Sequence, residues 1–502
     1  MKYKLSFLLF FLLSVAVSAR TIEVSEEQSG IWDADTVLVV DDVTVPKGMS
    51  LTITEGVKVI FDGYFKIIVN GDLSAAGTEY EHIVFTVTDT TGFHDIHSFV
   101  GGWAGVTFSD CTGPVVLEYC DFSYGKIIED PYYGGAVRFF GVDDVTIEHC
   151  RFTSNLTLHK GGALYAEYSH FVINDCEVDG NLGVYDEAVS LYMYGGGMFF
   201  INCDVEMRDM YFHDNDCPNC YGGAVNFDSC SVVLDRALIE NNRSTNAGGI
   251  GIQRSSHLNV VMSNAILRNN HVVHYGGGMA CAISSPIINN FVVVDNTCWG
   301  GGGGGVQFFG EAYPVFNNCI FWGNRWENPD MMQGDTLYSS QICIWDLFSR
   351  PSFRYGIVEF GYEKIYNQQF LQLYEEMSDE DPLFVDLANG DCRLQPSSPA
   401  INAGTPDTAG LQLPEFDFYG NPRILDDIID IGVHEFYLYG DANDDGTVDV
   451  VDITSICSYI FGIIPEHFNI GKSDVNRDGV IDILDIQAII TMIFSNKHLI
   501  TK

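Results

Sequence analysis

The chain has 502 residues, 46% of them hydrophobic, with 68 acidic against 25 basic side chains and a formal charge of −43. That apolar content excludes intrinsic disorder, and that charge repels nucleic acid, anionic membranes and polyuronates alike. Most of the negative charge lies upstream of residue 440, so it belongs to the whole surface and not to the acidic tail alone.

Residues 1–19 read as an export signal. Lys2 and Lys4 precede an apolar run from Leu5 to Val17, and Val17, Ser18 and Ala19 supply the small residues of a cleavage site. The run is too short to span a bilayer comfortably, and no later segment reads as spanning, so no membrane insertion is expected. The mature protein is then secreted, extracellular, or held at a cell surface through a partner. Residues 33–85 alternate apolar and polar positions between turn residues, the pattern of short strands.

Between residues 134 and 324 the chain repeats with a period of about 27. An apolar residue, two others and an asparagine recur as Phe152…Asn155, Val178…Asn181, Phe212…Asn215, Ile239…Asn242, Leu267…Asn270, Val293…Asn296 and Phe321…Asn324, and glycine pairs separate the copies. Apolar residues also recur at fixed distances before each asparagine, among them Cys150, Cys176 and Cys319 five residues upstream. The alternation predicts strands with one buried face, with glycines and asparagines taking the dihedrals that turn each coil. Like positions then stack, so asparagine sits on asparagine and shares side-chain hydrogen bonds. This predicts an all-β right-handed parallel β-helix, a solenoid, over residues 20–437. The Gly-Gly-Ala-Val and Phe-x-x-Asn pairing resembles the repeats of polymorphic outer-membrane proteins, without their terminal barrel. Residues 33–85 and 381–436 resemble the opening coils and closing segment of secreted right-handed β-helix proteins.

Fourteen cysteines in an exported chain invite disulfides, yet Cys120, Cys150, Cys176 and Cys319 fall where a small buried residue is expected. Cys217 and Cys220 are closely spaced in a loop and read as a local disulfide. His94 and His97 have metal-like spacing but no further ligands, and read as a surface loop.

Seven and six residues before each ladder asparagine run two polar columns expected to face solvent. Their middle concentrates Asp175, Arg208, Asp209, Asp235 and Arg236 on three neighbouring coils. Carboxylates on adjacent coils, about 5 Å apart, have the separation of a retaining glycosidase pair. Asp175, Asp209 and Asp235 are therefore the candidate catalytic residues. Ordinary surface pairing of Asp with Arg is the competing reading. Trp299, Trp322 and Trp326, and a tyrosine-rich insertion from Gly183 to Tyr194, are candidates for stacking on sugars. A lyase would want a basic subsite and a Lys or Arg base, which the charge balance disfavours.

The tail carries one twelve-residue acidic loop twice. Asp441, Asn443, Asp445, Asp449 and Asp452 surround Gly446, and Asp474, Asn476, Asp478, Asp482 and Asp485 surround Gly479, at positions 1, 3, 5, 9, 12 and 6 of an EF-hand-like loop. Thr447 and Val480 at position 7 would offer backbone carbonyls. Oxygen donors at this spacing suit two Ca²⁺ ions. An amphipathic helical pattern follows each loop. The duplicated segment, residues 438–502, resembles a type I dockerin, a small all-α module with two EF-hand-like calcium loops. The resemblance implies a cohesin-domain scaffold as partner. It also implies partner contact at positions 10 and 11, here Val450, Val451, Ile483 and Leu484.

The sequence thus describes a β-helix attached through a calcium-dependent module, with a role in polysaccharide binding or degradation. An enzyme would be a glycoside hydrolase before a lyase. The alternative is a non-catalytic surface or adhesion rod.

Overall fold

The computed structural model describes residues 19–111, 113–187, 189, 193–300, 302–327, 341–424 and 428–495. The expected export signal and parts of the tyrosine-rich insertion and of the C-terminal end lie outside them.

The repeat region winds as a parallel β-helix whose coils carry four short strands. In one coil these are Val137–Phe140, Val145–Glu148, Arg151–Thr153 and Leu156–Thr157, and each pairs in parallel with its counterpart one coil later. In three successive coils the second and third strands merge, into Asp204–His213, Ser231–Glu240 and Val260–Arg268, paired in register along both halves. Because counterparts sit one strand spacing apart, like packs on like. Phe85, Phe122 and Phe152 stack with ring centroids 4.6 and 5.2 Å apart. Cys120, Cys150, Cys176 and Cys319 are free, buried and directed inward, as expected, and their thiols donate to backbone carbonyls such as Leu117 O at 3.3 Å. Burial pushes the Cys319 thiol up to about 12, so this column is core packing and not a redox set. Cys217 and Cys220 are bonded to each other, but within the strand Asp216–Tyr221, not in a loop.

The asparagine column is a continuous buried ladder. Asn155 Nδ2 donates to Asn181 Oδ1 at 2.9 Å, and the same bond runs from Asn181 to Asn215, Asn242, Asn270, Asn296 and Asn324 at 2.8–3.0 Å. Each Oδ1 also accepts the backbone N–H of the preceding asparagine, as in Asn181 N to Asn215 Oδ1 at 3.1 Å. The turn geometry differs from expectation in one respect. The left-handed residue is the one before each ladder asparagine (Ser154, Gly180, Asp214, Asn241, Asn269, Asp295, Gly323), with φ between 52° and 67°, leaving the asparagine free to point inward. A second left-handed column, φ 48–55°, contains His149, Asp175, Asp209, Arg236, Asn264, Asn290 and Asn318, and makes the corner between second and third strands. The glycine pairs serve close approach: a Cβ on Gly162 would lie 2.1 Å from Gly196 O, and one on Gly277 2.1 Å from Gly304 O.

Residues 384–433 do not continue the coils but fold back along the flank of the rod. Phe384, Leu394, Ala400, Ile431 and Val433 cover an outward apolar patch of Ile266, Val292, Val294, Ile320 and Ile357. Buried Arg423 ties this strap down, donating to Glu435 Oε1 at 2.6 Å and to Asn264 Oδ1 at 3.0 Å.

The C-terminal unit holds three helices, α1 (Val450–Ile460), α2 (Ile470–Ser473) and α3 (Ile483–Ser495). Ala442, Ile456, Val475 and Ile489 form their shared core. No helix among the described residues is long and apolar enough to cross a membrane.

Candidate functional sites

The two acidic loops share their central hydrogen bonds. Asp441 accepts the N–H groups of Asp445 at 2.9 Å and Gly446 at 3.1 Å; Asp474 accepts those of Asp478 at 3.2 Å and Gly479 at 2.9 Å. Asp452 accepts from Asn443 N at 3.1 Å and Asp449 N at 2.8 Å, and Asp485 from Asn476 N at 3.2 Å and Asp482 N at 2.8 Å. Gly446 and Gly479 share φ 83°, which a side chain would resist at the sharp centre of each loop.

The donor set fits a hard divalent cation. Asp452 and Asp485 are fully buried, and Asp441 nearly so. Burial raises the Asp452 carboxyl, and the neighbouring carboxylates of Asp441 and Asp445 raise it further. Several carboxylates crowded with little cationic relief are what a bound Ca²⁺ would neutralise. Lys472 on α2 gives the first loop partial relief, lying 3.7 Å from Asp441 and bonded to Asp444.

Beside the loops lies an apolar surface. Val450, Val451, Ile483 and Leu484 are all exposed, and Phe461 and Phe494, equivalent positions on the two halves, are 82% and 84% exposed. So many large apolar groups left in water are unusual on so small a unit.

On the rod, the two polar columns expected to face solvent divide into two parts. Their C-terminal part is covered: Asn264, Asn289 and Asn290 donate to strap carbonyls of Phe416, Leu411 and Gly432 at 2.8–3.0 Å, and Asn318 accepts from Thr405 N at 2.8 Å. These asparagines dock the strap. The other part holds the acidic candidates, with Asp175 and Asp209 exposed and Asp235 buried. Asp175 accepts from His149 Nδ1 at 2.8 Å, and the His149 ring stacks on Tyr119 at 4.4 Å. Asp209 and Asp235 are brought together by one guanidinium: Arg236 grips Asp209 through Nε at 2.6 Å and Nη2 at 2.8 Å, and reaches Asp235 through Nη1 at 2.9 Å. Asp235 is buried, also accepts from Asn264 Nδ2 at 2.9 Å, and its carboxyl is raised by burial.

Of the tryptophans, Trp299 is about half exposed, whereas Trp322 packs against the strap core. His94 and His97 lie in a loop organised by buried Lys126, whose ammonium donates to the carbonyls of Gly92, Asp95 and Val100.

A further cluster escaped the sequence reading. On the outer face of the third strand, His213 contacts Asp214, Asp179 and Glu177, while the neighbouring Tyr211 hydroxyl donates to Glu240 at 2.6 Å. The signal was present in the two positions just before the ladder asparagine, where Asp179, His213 and Asp214 fall on adjoining coils.

These geometries define a rod with an attached module of two like acidic loops and three helices. Residues 439–494 match the dockerin type I domain, and residues 83–235 match the right handed beta helix region. The chain therefore carries a right-handed parallel β-helix followed by a type I dockerin domain. Among solved structures, the periplasmic alginate epimerase AlgG is similar at 11% identity, over 70% of this chain and 78% of that one, with a TM-score of 0.32. The pectate lyase Pel9A is similar at 11% identity, over 76% and 88%, with a TM-score of 0.30. The Dettilon tailspike protein is similar at 12% identity, over 68% and 61%, with a TM-score of 0.30. No curated protein matches the chain in sequence.

Proposed function

We propose that this is an exported protein that plugs into a cohesin-bearing scaffold through its dockerin and presents its β-helix to a polysaccharide. The observation that carries the reading is the duplicated loop with its exposed Val450, Val451, Ile483 and Leu484. Two Ca²⁺ ions, one per loop, would be held by Asp441, Asn443, Asp445, Thr447, Asp449 and Asp452, and by Asp474, Asn476, Asp478, Val480, Asp482 and Asp485. Bound calcium would supply structural order, fixing the helices that carry the apolar contact residues.

On the rod, the strip that exposes Asp175 and Asp209 beside buried Asp235 is where we place polysaccharide contact. Buried Asp235, its carboxyl raised, suits proton donation; Asp209, held by Arg236, suits the charged partner. The non-catalytic rod is the second reading, favoured by the two-point grip of Arg236 on Asp209, which occupies both carboxylate oxygens.

Product release from a panel of neutral and acidic plant polysaccharides separates the two. Saturated reducing ends that disappear in Asp209→Ala, with the fold retained, would establish a hydrolase, and unsaturated ends a lyase. Silence across the panel, with calcium-dependent cohesin capture intact, would leave the rod reading.

A further inference from the structure

The cluster at His213 has the parts of a metal site distinct from the dockerin loops. Parallel pairing sets Asp179 directly against His213 on the next coil. The His213 side chain is 14% exposed, and its ring stacks on Tyr211 with centroids 4.1 Å apart, so its orientation is fixed. Nε2 lies 3.1 Å from Glu177 Oε1, and the other Glu177 oxygen lies 3.3 Å from Arg151 Nε. A carboxylate held in this way accepts the Nε2–H hydrogen bond, the usual support of a metal-bound histidine, so that Nδ1 becomes the ligand nitrogen once a cation displaces its proton. Nδ1 faces Asp214 Oδ2 at 2.8 Å and Asp179 Oδ1 at 3.3 Å. The three donor atoms lie within 4.8 Å of one another. A tetrahedral ion with bonds of about 2.0–2.2 Å places its donors about 3.4 Å apart, so only small side-chain shifts are needed.

We infer that Asp179, His213 and Asp214 bind a first-row divalent cation on the outer face of the rod, bridging two adjoining coils. One imidazole with two carboxylates suits Zn²⁺ or Mn²⁺, unlike the all-oxygen loops of the dockerin. Three protein donors leave a coordination position open, and Asp214 is exposed, so that position faces solvent.

The test is calorimetric titration of Zn²⁺ into the full-length protein in excess CaCl₂, which keeps the dockerin loops filled. One Zn²⁺ equivalent should bind, and its affinity should fall at least tenfold in both His213→Gln and Asp214→Asn with circular dichroism unchanged. Should His213→Gln fail to fold, Asp214→Asn, on an exposed turn, decides alone. Absence of Zn²⁺ uptake, or uptake equal in wild type and the folded variants, would overturn the assignment.

Discussion

Arg477, at the fourth position of the second acidic loop, donates through Nη2 to Asn421 Oδ1 on the strap at 3.2 Å. The same oxygen accepts the Tyr439 hydroxyl at 3.2 Å, and the Arg477 guanidinium lies 4.2 Å from the centre of the Tyr439 ring. Asn421 is itself held, its Nδ2 donating to Asp417 Oδ2 at 2.9 Å. The dockerin thus meets the rod through a defined polar joint. Arg477→Ala should widen the distribution of shapes seen by small-angle X-ray scattering without lowering the melting temperature of the rod. An unchanged distribution would show that this joint does not hold the two units together.

Asp452 and Asp485 end their loops while accepting loop N–H groups with both oxygens. Asp452→Ala and Asp485→Ala should each weaken calcium binding at least tenfold and leave rod stability unaltered. Calcium titration calorimetry reads the first effect and thermal unfolding the second. Chelation of the wild type should reproduce the loss of helical order. A wild-type circular-dichroism spectrum indifferent to chelator would count against calcium-dependent folding.

Asn215 sits mid-ladder, fully buried. Its replacement by Ala would strip acceptors from both Asn181 N and Asn181 Nδ2, and a donor from Asn242 Oδ1. With about 1–3 kcal/mol lost per stranded buried group, the variant should lose about 3 kcal/mol or more. Asn174→Ala, whose side chain bonds Glu148 at the surface, should stay within about 0.5 kcal/mol of wild type. Denaturant melts of the two variants make the comparison.

His434 accepts the Leu394 N–H on Nδ1 at 3.1 Å, and burial holds its pKa down to about 3. The ring is neutral in the fold but would protonate near pH 6.5 when unfolded. Its contribution to stability is therefore complete above about pH 6.5 and is lost as pH falls toward 3. Relative to His434→Gln, the wild type should weaken by up to about 1.4 kcal/mol per pH unit between about pH 6 and 4. NMR titration should find a ring that does not change protonation above about pH 5; a midpoint near 6.5 would contradict the buried, neutral assignment.

The coils and the ladder were legible because each repeat marks the same buried position with the same residue, and a packed solenoid tolerates little variation there. The two acidic loops were legible because the same oxygen-bearing residues recur at the same spacings around a glycine in both copies. The strap was not, since its contacts, such as Arg423 with Asn264, join residues 159 apart with no periodic pattern. That is why the asparagines from Asn264 to Asn318 were expected to face solvent. The His213 cluster was missed because its column runs Thr153, Asp179, His213, Glu240, Arg268, Val294 and Trp322, with no repeated residue type. Outward positions diverge freely, so chemistry placed there leaves no periodic trace.

The amide column also has a direction. It begins where Gly125 N–H enters Asn155 Oδ1 at 2.8 Å, and ends where Asn324 Nδ2 meets Gln341 Oε1 at 2.6 Å, whose Nε2 passes to Glu359 Oε2 at 2.6 Å. Any internal link presents the same head and the same tail, so a whole turn can be spliced in or out and the junction still closes. The terminators are not interchangeable in this way. Cutting the chain after Asn324 would leave a dangling donor in a dry interior, which makes the longer amide and the acid behind it the stopper that sets where the rod may finish.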